Sequence, residues 1–135
     1  MVERHPRGVL DTSVVIDLPD IADESLPEAA TITAITLAEL SQGPQLARDE
    51  RSRAERIERL QVAEREYRSP LPFDARAARR YGTFVALILA SGRHPRARRL
   101  DLMIAATAAV NDLPLFTCNV DDFAGLHDAM TIVAT

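Results

Sequence analysis

RRLDLMIAATAAVNDLPLFT, residues 98–117, decides the fold. Its centre, LMIAATAAV at 102–110, is apolar on every side and reads as a helix buried all round. The helix ends near Asn111, and Pro114 to Thr117 follows as a short, buried-looking strand. A buried helix leading into a buried strand belongs to a sheet that carries helices on its faces. Asp101 opens the helix, an acid placed at the rim of the most apolar segment in the chain.

The same alternation recurs on either side. Gly8 to Leu10 is a short apolar strand ending at Asp11, and Ser13 to Leu18 continues as a helical turn. Pro19 and Pro27 bracket a polar loop. Ala30 to Ala34 alternates and is β-branched, which predicts a second strand. Thr36 opens a helix to about Gln42, stopped by Gly43 and Pro44. From Leu46 to Tyr67 the chain is charged, with Ala54, Ile57, Leu60, Ala63 and Tyr67 at the spacing of an amphipathic surface helix. Tyr67 to Leu71 predicts a third strand. Asp74 can cap a helix carrying Ala77, Ala78, Tyr81, Phe84, Val85, Ile88 and Leu89 on a broad apolar face. Gly92 to Arg99 is a basic loop broken by Pro95, Asn119 starts a short turn, and Met130 to Val133 forms a last strand. Strands alternating with helices imply a parallel sheet covered on both faces.

Bulk properties bound the answer. The 135 residues fit one domain over 1–135, with 47% hydrophobic and 27% charged residues, an ordinary globular balance. No apolar run approaches the roughly 20 residues that cross a bilayer, and the N-terminus lacks the apolar stretch of a signal peptide. Cys118 is the only cysteine, which excludes an internal disulfide and a zinc–cysteine site. The expectation is a soluble cytoplasmic protein. A net charge of −4 argues at first against nucleic acid. All 16 basic residues are arginines, however, clustered at 48–68, at Arg76, Arg79 and Arg80, and at Arg93, Arg96, Arg98 and Arg99. Arginine suits bidentate phosphate contact, although a GC-rich genome explains an all-arginine chain equally well. An acidic protein can still bind RNA when its acids hold a divalent metal, which reverses the local charge.

The acids fall in a pattern. Asp11 follows the first strand, Glu39 lies one turn into the helix after the second, Asp101 opens the apolar helix, and Asn119 and Asp122 follow the strand ending at Thr117. Each position lies near the carboxyl edge of the sheet, where open α/β sheets bind ligands. Taken singly, each has a capping explanation. Asp11 can cap the turn at 13–18, Thr36 and Glu39 match a capping box, Asp101 can cap its own helix, and Asn119 with Asp122 can form another cap. Glu39 is the least comfortable of these, since Ile35, Leu37, Ala38 and Leu40 surround it and a carboxylate in apolar company needs a partner or a metal. The joint pattern favours a site.

Three or four oxygen ligands without histidine or cysteine suit a hard cation such as Mg2+ or Mn2+. His5, His94 and His127 sit in terminal or loop contexts and read as solvent-exposed. With neither a Walker loop nor a Gly-rich dinucleotide fingerprint, the cluster points to a metal acting on an external phosphodiester.

At this point the chain resembles the PIN-domain ribonucleases, and in size and layout the toxins of VapBC toxin–antitoxin pairs. LDTSVVIDL at 10–18, AITLAELSQG at 34–43, RRLDLMIAATAAVNDLPLFT at 98–117 and CNVDDFAGL at 118–126 carry the likeness, in order and over nearly the whole chain. The resemblance implies a three-layer α/β/α sandwich around a mostly parallel sheet. It implies a metal site at Asp11, Glu39 and Asp101, with Ser13 and Thr117 holding waters or neighbouring carboxylates. Asn119 stands where many relatives have aspartate, so Asp122 is expected to compensate through a bound water. The resemblance further implies an Mg2+-dependent endoribonuclease, with Mn2+ substituting, that forms a homodimer and is blocked by a small antitoxin. Arg80, Arg96, Arg98 and Arg99 could line its RNA groove. Two rivals stand beside it. One is a PIN-like domain that clamps RNA or serves as a scaffold without cutting. The other is a phosphotransfer or receiver-like domain, disfavoured by Ser13 in place of a second acid and by the lack of any lysine.

Overall fold

In the computed structural model, which describes residues 3–135, the first strand lies inside the sheet, not at its edge. The strands β1 (Arg7–Leu10), β2 (Ala29–Thr31), β3 (Leu115–Thr117) and β4 (Ile132–Ala134) pair in the order β2-β1-β3-β4, every pair parallel. Leu10 pairs with Phe116, so the carboxyl ends of β1 and β3 finish side by side. That pairing brings Asp11, which follows β1, beside Thr117, the last residue of β3.

Helices α1 (Thr12–Asp17), α2 (Ala34–Gln42), α3 (Glu50–Glu66), α4 (Ala75–Ala90) and α5 (Arg99–Val110) complete the fold. Successive strand residues point to opposite faces, and the two cores follow that rule. Val9 and Leu115 join Phe84, Ile88, Leu102 and the Ile104–Ala106 stretch on the α4–α5 side. Leu10 and Phe116 join Val14, Val15, Ile32, Leu40 and Ala63 on the other. The result is the expected three-layer α/β/α sandwich, with α5 as the central buried helix: Leu102 and Ile104 through Ala109 are all buried.

Four expectations require correction. The strand predicted at 67–71 shrinks to a single bridge between Thr33 and Leu71. Pro70 and Pro72 flank that bridge and carry no N–H, so only Leu71 can exchange ladder bonds, donating to the Ile32 carbonyl and accepting from Ala34 N. The second strand ends at Thr31, and α2 begins at Ala34 with Thr33 as its cap, not Thr36; the Thr33 side chain accepts from Thr36 N at 3.2 Å. Helix α5 begins at Arg99, so Asp101 is its third residue. Finally, only Ala63 of the predicted apolar face of α3 is buried, while Ala54 and Ile57 are exposed. Ala63 packs into the core, while Arg56, nearer the start of the helix, donates to the Gly43 carbonyl at 2.9 Å.

Candidate metal and active site

Asp11 emerges from β1 into the sheet's carboxyl edge and is 4% exposed. Its Oδ2 accepts hydrogen bonds from Ser13 Oγ at 3.0 Å and from Thr117 Oγ1 at 2.8 Å. Its Oδ1 is buried with no hydrogen-bond partner among the described residues. Native proteins rarely leave a buried carboxylate oxygen unpaired, so an orphan of this kind calls for a ligand. Burial raises the Asp11 pKa, against the lowering effect of the Thr117 and Ser13 hydroxyls and the Thr12 backbone; the Asp122 charge adds a smaller rise.

Glu39 sits in the second turn of α2, half-buried, with Oε1 accepting from Thr12 Oγ1 at 2.8 Å. Burial raises its pKa, Thr12 opposes the rise, and the Asp11 charge adds to it. Asp101 is the most perturbed acid, pushed up to about 6. Burial is the largest cause, followed by the negative charges of Asp11, Asp122 and Glu39, while the Arg98 guanidinium works in the other direction. Four carboxylates drawn from α2, α5, the end of β1 and the turn after β3 therefore share one electrostatic field.

The capping alternatives fail at the side chains. Asp11 and Asn119 occupy N-cap positions, but neither side chain bonds a helix N–H. Asp101 lies inside its helix, and Glu39 bonds Thr12 in place of the cap residue's backbone. Asn119 is exposed and touches the cluster through its backbone, whose N–H donates to Thr117 Oγ1 at 3.0 Å. Asp122 faces the cluster with its carboxylate and is held by Arg98 Nη2 at 3.1 Å.

These donors fit a hard divalent cation. All are oxygens, one is buried and unpaired, and the surrounding charge is uncompensated except by Arg98. Among the described residues no three acids enclose an ion by themselves.

The arginines divide. Arg98 is in the site, and Arg93 anchors the neighbouring turn by donating to the Asp121 carbonyl at 2.8 Å. Together with His94 and Asp122 they line a cleft of about 340 Å³. Arg96 and Arg99 are exposed on the adjoining segment. Arg80 does not join this groove: it lines a separate recess with Asp112, Leu113 and Pro114, which precede β3 and lie at the sheet's opposite edge. On the far side of Glu39 a cleft of about 460 Å³ is walled by Thr12, Arg56 and Arg59. Among the histidines, His94 and His127 are exposed as expected. His5 is not, since its half-buried ring packs edge-on against Phe116 at 5.7 Å.

A family profile for the PIN domain matches residues 8–127. The chain belongs to the PIN-domain family. This PIN domain is 42% identical over 129 residues to ribonuclease VapC5 of Mycobacterium tuberculosis, covering 93% of this chain and 91% of that one. Among solved structures it resembles a member of the VapBC family of toxin–antitoxin systems, VapBC-5 of the same organism, with a TM-score of 0.79 and 38% identity over 96% of this chain and 97% of that chain. It also resembles FitAcB from Neisseria gonorrhoeae, with a TM-score of 0.73 and 27% identity over 93% of this chain and 95% of that one.

Sequence reasoning gave Thr12 no role, read Thr36 only as a helix cap, and took in Arg56 and Arg59 only as part of the 48–68 arginine cluster. Thr12 carried a usable signal, since it follows Asp11 directly and its hydroxyl must find a partner. The two arginines lie within a long charged helix and have no local signal that separates them from their neighbours.

Proposed function

We propose that this chain is an endoribonuclease toxin of a toxin–antitoxin pair, hydrolysing RNA phosphodiester bonds with Mg2+, or with Mn2+ in its place. The observation that carries the reading is Asp11, buried and locked through Oδ2 while Oδ1 is unpaired, in a field shared with Glu39, Asp101 and Asp122. The ribonuclease name of the relative at 42% identity and the toxin–antitoxin description of the neighbour at 38% support it.

In this reading Asp11, Glu39 and Asp101 hold the cation, and Asp122 reaches it through water. When bound, the cation supplies charge neutralisation at the scissile phosphate and an acidified water. Ser13 and Thr117 fix the Asp11 carboxylate so that Oδ1 faces the site. Asp101, with its pKa near 6, holds a proton for part of the time in metal-free protein at mildly acid pH and releases it as the cation arrives. Arg98 orients Asp122 and offers its remaining N–H donors to a phosphate, with Arg96 and Arg99 beside it and Arg56 and Arg59 across the site. The protein acts in the cytoplasm as a homodimer of one-domain chains. Its antitoxin blocks the same pocket. No helix among the described residues is long and apolar enough to cross a membrane.

The test is cleavage of a mixed RNA pool by purified protein with Mg2+ or Mn2+, with EDTA, and with Asp101→Ala. Cutting that needs the metal and disappears in the variant is the expected result. A folded, antitoxin-free protein that binds RNA without cutting it under any of these conditions overturns the reading in favour of a non-cleaving clamp.

A further inference from the structure

The hydroxyls of Thr36 and Thr12 and the carboxylate of Glu39 form a line whose direction is set by proton count. Thr12 Oγ1 lies 2.8 Å from Glu39 Oε1 and 2.9 Å from Thr36 Oγ1. An ionised carboxylate only accepts, so the one Thr12 proton goes to Glu39. Thr36 must then donate to Thr12, whose oxygen has no second proton to give. Thr36 is fully buried, and Thr12 is the sole partner of its hydroxyl among the described residues, so the bond has no competitor. Aligned hydroxyls of this kind polarise one another and strengthen the last bond in the chain.

The line also joins two parts of the site. Thr12 follows Asp11 at the end of β1, whereas Thr36 and Glu39 are successive turns of α2. Among the described residues no hydrogen bond engages Glu39 Oε2. We infer that Thr12 and Thr36 are positioning residues that hold Glu39 in one orientation, with Oε1 engaged and Oε2 left for a divalent cation. This rests on the metal-dependent reading above. Thr36 touches neither cation nor substrate; it acts through Thr12. Its backbone N–H, which bonds Thr33, is unaffected by a change of side chain, so Thr36→Val removes the hydroxyl while keeping the helix cap and the β-branched shape.

The experiment is calorimetric titration of Mn2+ into the antitoxin-free and RNA-free protein, comparing the parent with Thr36→Val, Thr36→Ser, Thr12→Val, Thr12→Ser and Glu39→Gln. Loss of an orienting partner behind a metal ligand weakens binding by about 10–100-fold. Thr36→Val should fall at the low end of that range, about tenfold, and Thr12→Val further, while both serine variants restore the parent affinity. If Thr36→Val does not fold, the Thr12 pair carries the comparison alone. Parent-like affinity in the valine variants overturns the inference, and so does equal weakening by serine and valine, which would mean packing and not the hydroxyl. A parent protein that binds no Mn2+, or binds it equally well as Glu39→Gln, overturns the metal reading itself and the inference with it.

Discussion

The Thr117 hydroxyl donates to Asp11 Oδ2 at 2.8 Å, joining residues 106 positions apart. Both partners are buried, and the same Thr117 oxygen accepts the N–H of Asn119 at 3.0 Å. One hydroxyl therefore holds the first acid and also sets the start of the turn that carries Asp122. Thr117→Val keeps the shape and removes both bonds. We expect a loss of about 1–3 kcal/mol in unfolding free energy, read by chemical denaturation. A change near zero would mean that Ser13 alone suffices to hold Asp11.

The site should make the metal-free protein respond to acid in an unusual direction. Asp101 has a folded pKa raised from 3.8 to about 6, and those of Asp11 and Glu39 are raised as well. Between pH 4 and 6 the folded state thus binds more protons than the unfolded chain at these positions. Their contribution to stability is fully present below the unfolded value and is lost as pH rises through the folded one. Melting of the metal-free protein should show stability increasing from pH 7 towards pH 5. Asp101→Asn should flatten that increase by about 1 kcal/mol, allowing for solvent screening in a half-open site.

Asp101→Ala separates a charge in the site from a helix cap. A lost cap would cost about 1 kcal/mol, but Asp101 is the third residue of α5 and its side chain caps nothing. Its removal relieves repulsion from Asp11, Asp122 and Glu39. The variant should melt at or above the parent temperature in metal-free buffer while cleavage falls below detection. Marked destabilisation in the same buffer would argue for a structural role.

Arg98 and Asp122 form a partly exposed pair, so breaking it should change stability by only about 0.2–1 kcal/mol. Its electrostatic effect is larger in kind, because Arg98 is the one cation holding the Asp101 pKa down. In Arg98→Ala, the acid limb of Mn2+ binding should move to higher pH. An unshifted limb in a pH series of metal titrations would show that Arg98 and Asp101 do not communicate.

Gly8 tests the sheet's packing instead of its chemistry. A Cβ placed there would lie 2.5 Å from Phe116 Cε1 and 3.1 Å from Pro27 Cγ. Gly8→Ala should therefore cost about 1–3 kcal/mol by overpacking. Denaturant midpoints, with an unchanged m-value, would measure it.

Much of this architecture was legible in the sequence because apolar content and position agreed. The very apolar 102–110 segment reads as a central helix, and the acids that follow the strands, Asp11 foremost, mark the carboxyl edge. What misled was local ambiguity. In TITAIT, Thr33 and Thr36 stand three apart and either can cap a helix; the choice depends on where the strand stops pairing, which is a tertiary matter. The strand expected at 67–71 fails because Tyr67 still donates to Ala63 at the end of α3, while Pro70 and Pro72 leave Leu71 as the one residue between them able to donate. The apolar spacing in α3 predicts a core face, although Ala63 alone of that face is buried and Ile57 stays exposed. Arg80 was grouped with the site arginines by composition, and only the antiparallel course of α4 against α5 carries it to the opposite edge.

The strand order β2-β1-β3-β4 has a consequence for folding. The Thr117 hydroxyl lies 106 positions after the Asp11 carboxylate that it bonds. Closing so long a loop carries an entropic cost that the local Ser13–Asp11 pair escapes. The pocket therefore draws its geometry from the longest-range pairing in the sheet, not from any locally formed turn.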